Sequence, residues 1–496
     1  MVQAGKCSSL RTKITFTLTV QCHVFPYSSR HDIDLKRWWR VWLNVKRTYN
    51  SPSAACSQLR EVKDLRFRNS AMKKLWTKAS VLGSMSVAFG SMLWYQKKAE
   101  SDQLVCSHTS ADTNPPSPYE LKLVQVLFRH GARTPLKSIP GVMEVQWVPT
   151  LLEPPAHTQI NYKVTDLYGG PRPPAPVEES YRKNVLNGGT FPGQLTAVGM
   201  QQLYELGKRL RRTYVEETHF LSSTFSPAEV YVRSTNILRT IESARCLVAG
   251  LFLQKQTETV PIFTTDAGSE ILYPNYHGCQ LLKILASPRW AEASTLPDIA
   301  ADLQSVHSAL GIAPRLPVDF ILIRDDMVAR ETHGLPCPSA LGTWKSKVEQ
   351  RAVDMMCHVY EHNGSMENLQ LCVGPLLHSL LTNIEGKLEG TSSEADRKLF
   401  LYSAHDTTLI PCLMALGIFD MKWPPFAADI TVELHQHRQT NKPFVKVSYV
   451  GQDQLLPGCS GVYCPLEQFK QVLSAYSLSS EVHRSRCNST KGAAES

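Results

Sequence analysis

The chain has 496 residues, 43% of them apolar and 20% charged, which is enough for a large core and excludes a wholly disordered chain, a collagen or a multi-span membrane protein. Its formal net charge of +9 is unevenly spread, because residues 1–98 hold 18 Lys and Arg against 4 Asp and Glu and leave the body mildly acidic. An acidic body argues against nucleic acid as a partner, since phosphate-backbone binding needs a basic face on the folded domain.

Residues 1–98 read as a basic leader, with short apolar runs among Lys, Arg and Ser and no sustained amphipathic period. The clearest run, 79–96, has no charge and is flanked by Lys73, Lys74 and Lys78 before it and Lys97 and Lys98 after it. Its length suits a membrane span, whereas its Ser and Gly content weakens one. An organellar presequence or signal-anchor is the stronger reading and a secretory signal the alternative. Met72 is an alternative start, which would leave a compact leader. Residues 99–118, with three Pro, form a linker into a body at 119–490, and 491–496 are a tail.

The body opens with Leu121–Phe128, an apolar run of strand length that ends directly in Arg129 and His130. From Gly141 to Thr196, Pro and Gly are so frequent that loops are expected. Thr196 caps a helix with Leu203, Leu206, Leu210 and Tyr214 on one stripe. Val230–Arg233 is a second strand, followed by a helix carrying Ile241, Ala244, Val248 and Leu251. Leu399–Ser403 is a third, leading through His405 and Asp406 to an apolar segment that ends at Gly417. Pro411 falls within a turn of that helix's expected start, a tolerated place for proline. Ile430–His435 and Phe444–Val450 alternate as a late hairpin. Strands alternating with helices imply an α/β sheet whose ligand site lies at the carboxyl ends of its strands, where the three polar loops would gather.

The first loop reads Arg129-His130-Gly131-Ala132-Arg133-Thr134-Pro135, and R-H-G-x-R-x-P arises by chance in roughly one chain of this length in several thousand. Two guanidiniums beside an imidazole suit a dianion that must be held and attacked, because Arg offers planar, permanently charged donors to phosphate oxygens. The glycine lets the backbone come close. The Arg charges should keep His130 neutral and nucleophilic in acid. The second loop, Arg233-Ser234-Thr235-Asn236-Ile237-Leu238-Arg239, ends where a helix begins and adds Arg239 at an anion-favouring amino terminus. Arg233 reads as an ion-paired support. In the third loop His405 could donate to the phosphate, and Asp406 could protonate the leaving alkoxide and then activate water.

Together the three loops resemble those of the histidine acid phosphatases, in the branch that includes acid phosphatases, phytases and lysophosphatidic acid phosphatases. The resemblance covers about 119–490. It implies a three-layer α/β sheet with flanking helices, plus a smaller, mainly helical cap at about 266–395. By the same resemblance, His130 is the phosphate-accepting nucleophile and Asp406 the proton donor, while Arg129, Arg133, Arg239 and His405 bind the phosphoryl group. It implies a phosphohistidine intermediate with no metal and no cofactor, in a chain with no C-x-x-C pair and no H-E-x-x-H helix.

The stretches QWVPTLLEPP, LYPNY and LGIFDMKWPPFA look most like the lysophosphatidic acid phosphatases of the family, which implies a lysophospholipid substrate, a monomer and a mitochondrial location consistent with the leader. Membrane association through the N-terminal segment is a further expectation. A broad acid phosphatase, an inositol-phosphate phosphatase and an inactive phosphate- or lipid-binding protein are the alternatives. Trp147, Val148, Leu151, Leu152 and Phe191 are candidates for an acyl channel or, equally, loop-anchoring core. The chain departs from many relatives in having Ala132, Asn236 and Leu238 where they carry carboxylates, which would ease approach of an anionic headgroup. Cys279 with Cys487, and Cys459 with Cys464, match positions paired in secreted relatives. Asn363 and Asn488 are glycosylation triplets that matter only on a secretory route.

Overall fold

The computed structural model describes residues 117–489, apart from 257, 314, 362–365 and 391–395. The leader 1–98 with its apolar run, the linker up to 116, Asn363 and the tail 491–496 lie outside the described residues. Strand β1 (Tyr119–Arg129) is buried on both faces: Leu123 and Leu127 join one apolar cluster, and Val124, Val126 and Phe128 join the other. A strand with two apolar faces belongs in the middle of a covered sheet.

Strand β2 (Tyr162–Thr165) and helix α1 (Pro176–Tyr181) lie within the Pro- and Gly-rich stretch expected to be loops, and both correct that expectation. The strand is four residues long, too short for a period to show, and backbone pairing to β4 (Val260–Phe263) holds it. Between them come α2 (Ala197–Arg211), β3 (Val230–Ser234) and α3 (Leu238–Phe252). Thr196 caps α2 as expected, its side chain accepting from the Gly199 N–H. Helices α2 and α3 cover one face of the sheet and approach closely. A Cβ at Gly207 would stand 2.1 Å from the Leu247 oxygen, and one at Gly250 2.1 Å from the Tyr204 oxygen.

Five helices follow: α4 (Gln280–Ala293), α5 (Pro297–Leu310), α6 (Phe320–Thr332), α7 (Ser339–Tyr360) and α8 (Glu367–Glu389). Residues of α4 to α7 build a separate apolar cluster around Val306, Phe320, Ile323, Val348 and Ala352. Helix α8 instead packs its Leu376, Leu377, Leu380 and Ile384 into the sheet's second cluster. The chain returns through β5 (Leu399–Ala404), α9 (Asp406–Ala415), β6 (Asp429–His437) and β7 (Pro443–Tyr449). It ends with β8 (Gln452–Gln454), β9 (Cys464–Pro465), α10 (Leu466–Ser474) and α11 (Ser480–Asn488).

The sheet order is β2-β4-β3-β5-β1-β6-β7-β8, with β9 paired to β7. The first five strands run parallel and the later pairs antiparallel, so this is an α/β fold with helices on both faces. Strands β3, β5 and β1 are neighbours in register, Ser234 opposite Ser403 and Arg129 opposite Ala404, so their three carboxyl ends lie level. Pro411 is a second correction. It is the sixth residue of α9, beyond the first turn, and the Thr407 carbonyl it leaves without a helical donor accepts from Tyr360 Oη at 3.3 Å. The two cysteine pairs that match paired positions in secreted relatives, Cys279 with Cys487 and Cys459 with Cys464, are disulfide-bonded. Among the described residues, no helix is long and apolar enough to cross a membrane.

Candidate active site

The loop after β1 is held against α2. A Cβ at Gly131 would meet the Gly199 oxygen at 2.2 Å, so the glycine serves a crossing of loop and helix rather than approach to a ligand. The crossing buries Ala132 completely, with its N–H donating to Gln202 Oε1. Ala132 is therefore not at a pocket mouth, which corrects the expectation that its small side chain eases entry of a headgroup. At the start of α3 the Leu238 N–H donates to Glu178 Oε2, so a carboxylate from α1 stands beside Leu238.

A pocket of about 290 Å³ lies at the carboxyl ends of the central strands and is lined by His130, Arg133, Arg239, His405 and Asp406. Arg129 is ion-paired to Asp406 and lines a second cavity of about 580 Å³. All six residues are buried. His130 Nδ1 lies 2.8 Å from the Gly131 carbonyl oxygen, which accepts only if Nδ1 carries the proton, so Nε2 is the nitrogen with a free lone pair. Burial first, then the charges of Arg239, Arg129 and Arg133, holds the imidazole well below its usual range, as a neutral nucleophile requires.

The cations differ in how far their donors are used. Arg129 pairs with Asp406 at 2.7 Å, donates to the Pro424 carbonyl at 2.6 Å and lies 4.3 Å from the centre of the Phe426 ring. Burial pulls its guanidinium down to about 10. Arg133 pairs with Asp325 of α6 at 2.8 Å. Arg239 lies over the Tyr181 ring, and its Nε and Nη1 are buried with no hydrogen-bond partner among the described residues. Buried guanidinium donors of this kind are costly unless an anion meets them. Arg233 pairs with Glu270 at 3.1 Å, the supporting role its sequence position suggested.

His405 is the amino-terminal cap residue of α9, and its Nε2 lies 3.0 Å from Thr235 Oγ1 in the second loop. Asp406 is the first helical residue, with Oδ1 accepting from the Thr407 N–H and Oδ2 from Trp423 Nε1 at 3.0 Å. Burial opposes its ionisation. The charges of Arg129 and Arg133, with the Trp423 N–H, nevertheless hold the carboxyl well below the usual carboxylate range.

Two of the five channel candidates, Trp147 and Leu151, are core instead. Trp147 is 1% exposed and packs with Val145, Leu186 and Ala329, with Leu151 against them, as loop-anchoring core. The apolar wall of the pocket comes from Val177, Ile237, Tyr273, Tyr276, Trp290 and Tyr360. Asp325 and Trp423 were not legible as site residues. Asp325 lies far from the three loops in sequence, Trp423 is 17 residues beyond Asp406, and the packing of α6 and of the segment before β6 brings them in.

Residues 120–307 and 332–450 match the family described as Histidine phosphatase superfamily (branch 2). Lysophosphatidic acid phosphatase type 6 of Homo sapiens is 44% identical over 422 residues, which are 84% of this chain and 96% of that protein. The Bos taurus protein of the same name is 47% identical over 371 residues, 74% of this chain and 86% of the other. A solved phytase of Hafnia alvei in complex with tartrate superposes with a TM-score of 0.50 at 17% identity, over 73% of this chain and 98% of that one, a likeness of fold. With the R-H-G-x-R-x-P loop at the end of β1 and the His-Asp pair at the end of β5, these matches establish that the chain is a phosphatase belonging to branch 2 of the histidine phosphatase superfamily.

Proposed function

We propose that the protein hydrolyses lysophosphatidic acid to monoacylglycerol and phosphate through a phosphohistidine. The observation that carries the mechanism is an imidazole whose Nδ1 is engaged by Gly131 O, beside a buried guanidinium, Arg239, with two nitrogens lacking a hydrogen-bond partner among the described residues. The substrate follows from the relatives' names and their 44–47% identity. Arg239, Arg133, Arg129 and His405 hold the phosphoryl oxygens, helped by the amino termini of α3 and α9. His130 Nε2 attacks phosphorus while the bond to the glycerol oxygen breaks and Asp406 gives that oxygen its proton. Water, deprotonated by the same carboxylate, then cleaves the phosphorus–nitrogen bond.

Asp406 must acquire a proton before the first step. The bound phosphate supplies the reason: its negative charge offsets the Arg field that keeps the carboxyl ionised, so a proton enters with the substrate. The glycerol and the first part of the acyl chain would rest against Tyr181, Tyr273, Tyr276 and Trp290, side chains that offer apolar area with polar tips. Leader residues 1–98 would direct the chain to mitochondria, with 79–96 giving membrane association, and the body would work as a monomer. Imaging a fluorescent fusion with and without 1–98 tests the location.

Phosphate release from lysophosphatidic acid, an aryl phosphate and inositol hexakisphosphate, with His130→Ala as control, tests the rest. A preference for the lipid that the substitution abolishes is expected. Equal turnover of all three removes the lipid from its special place, and turnover that survives the substitution removes His130 as nucleophile.

A further inference from the structure

The segment between α9 and β6 holds the Arg129–Asp406 pair at both ends. The Pro424 carbonyl and the Phe426 ring grip Arg129, and Trp423 Nε1 donates to Asp406 Oδ2 at 3.0 Å. The indole is fixed from the helical side. Arg324 of α6 lies 4.5 Å from the centre of its ring, and Arg324 Nε is held by Glu349 Oε2 of α7 at 2.6 Å. Trp423 also packs against both the sheet cluster and the cluster of α4 to α7. A chain of contacts thus runs from Glu349 through Arg324 and Trp423 to Asp406.

We propose that Trp423 is a positioning residue for the phosphatase reaction, its indole N–H orienting the Asp406 carboxyl for proton delivery and the Arg324–Glu349 pair locking the ring in place. This rests on Asp406 being the proton donor. A carboxyl in the first turn of a helix has free torsions, and of its two oxygens Oδ1 turns back to the Thr407 N–H. Oδ2 is therefore the oxygen positioned by side chains, shared between Arg129 Nη2 and Trp423 Nε1. A planar donor held by stacking fixes direction as well as distance, which Arg129 alone does not. Geometry of this kind matters most where the leaving group is a poor one, because an alkoxide needs its proton in the transition state and a phenolate scarcely does.

The test uses the full chain and two substrates, lysophosphatidic acid and p-nitrophenyl phosphate, with kcat and KM followed from acid to alkaline pH. Trp423→Phe keeps the ring and its cation contact and removes only the N–H. We expect kcat on the lipid to fall about 10-fold at its best pH, with kcat on the aryl ester and both KM values within about 2-fold. The N–H stabilises the ionised carboxylate, so its loss makes Asp406 hold its proton to higher pH, and the alkaline limb of kcat on the lipid should move up by about one unit. Arg324→Met, which leaves the N–H but frees the ring, should lower lipid kcat in the same selective way by about 3-fold. Equal losses on both esters, or an unmoved alkaline limb with an unchanged melting temperature, would overturn the proposal. Asp406→Asn separates the layers when the phosphorylation of His130 is followed alone in a single turnover: if it slows that step equally with both esters, the proton-donor reading itself fails, and Trp423 with it.

Discussion

Strands β1 and β6 carry two groups of buried charge, one at the carboxyl end of β1 and one midway along β6, and the two are built on opposite terms. Near the carboxyl end of β1, cations outnumber carboxylates, and Arg129, Arg133 and Arg239 all have a buried Nε without a hydrogen-bond partner among the described residues. Midway along β6, Glu433 is met by Tyr214 Oη, His435 Nε2 at 2.8 Å and Lys446 Nζ at 2.9 Å. There a carboxylate is matched by its own neighbours, and among its partners only His435 Nδ1 is left without one. The cavity beside Glu433 is the larger, about 880 Å³ against 290 Å³ at the catalytic loops. Size therefore does not identify the site. A surplus of cations lining a pocket does, because buried like charges are offset by a ligand of the opposite sign.

The sharpest break of this contrast is His130→Ala, which should lower phosphate release by about 10³-fold or more. The wild type should also retain a labelled phosphoryl group that is stable in base and lost in acid, and the variant should not. Asp406→Asn comes next, with a fall of about 10²- to 10⁴-fold on the lipid and a smaller one on an aryl ester. Arg239→Ala should raise the lipid KM by about 10- to 100-fold, the loss of charge-assisted hydrogen bonds, with little change in melting temperature because no carboxylate loses its partner.

The smallest effect on turnover belongs to the group around Glu433. Glu433→Gln should leave kcat/KM within about 2-fold and cost about 2 kcal/mol of stability by denaturant titration. Its pH dependence has a definite sign. Burial opposes ionisation, but His435, Lys446 and Tyr214 push the Glu433 carboxyl down to about 2 from an ordinary 4.5. Its contribution is therefore present above pH 4.5 and lost as pH falls toward 2. Between those values the wild type should lose stability more steeply than the variant. Equal slopes would mean the carboxylate is not the settled charge described here.

Much of the catalytic end was legible because its residues sit where chain-local rules operate. Leu121–Phe128, Val230–Arg233 and Leu399–Ser403 declared themselves as strands by apolar runs, and each is followed at once by its polar loop. Pattern also carried Thr196 as a cap and the hairpin of β6 and β7. It failed at β2, whose four residues are fixed by pairing to β4, and it left Trp147 open between channel wall and core, which packing decided as core. It failed too at Ala132, whose place was set by the crossing of Gly131 and Gly199.

The sequence by itself determined the chemistry: which strands end in which loops, and which imidazole, guanidiniums and carboxyl those loops deliver to the carboxyl edge of the sheet. Tertiary structure alone decided how those groups are held. Asp325 reaches Arg133 from α6, and Trp423 reaches Asp406 under the lock of Arg324 and Glu349. The physical reason is that a strand's direction and burial follow from the residues within it, whereas a partner brought in from another layer depends on how whole helices pack.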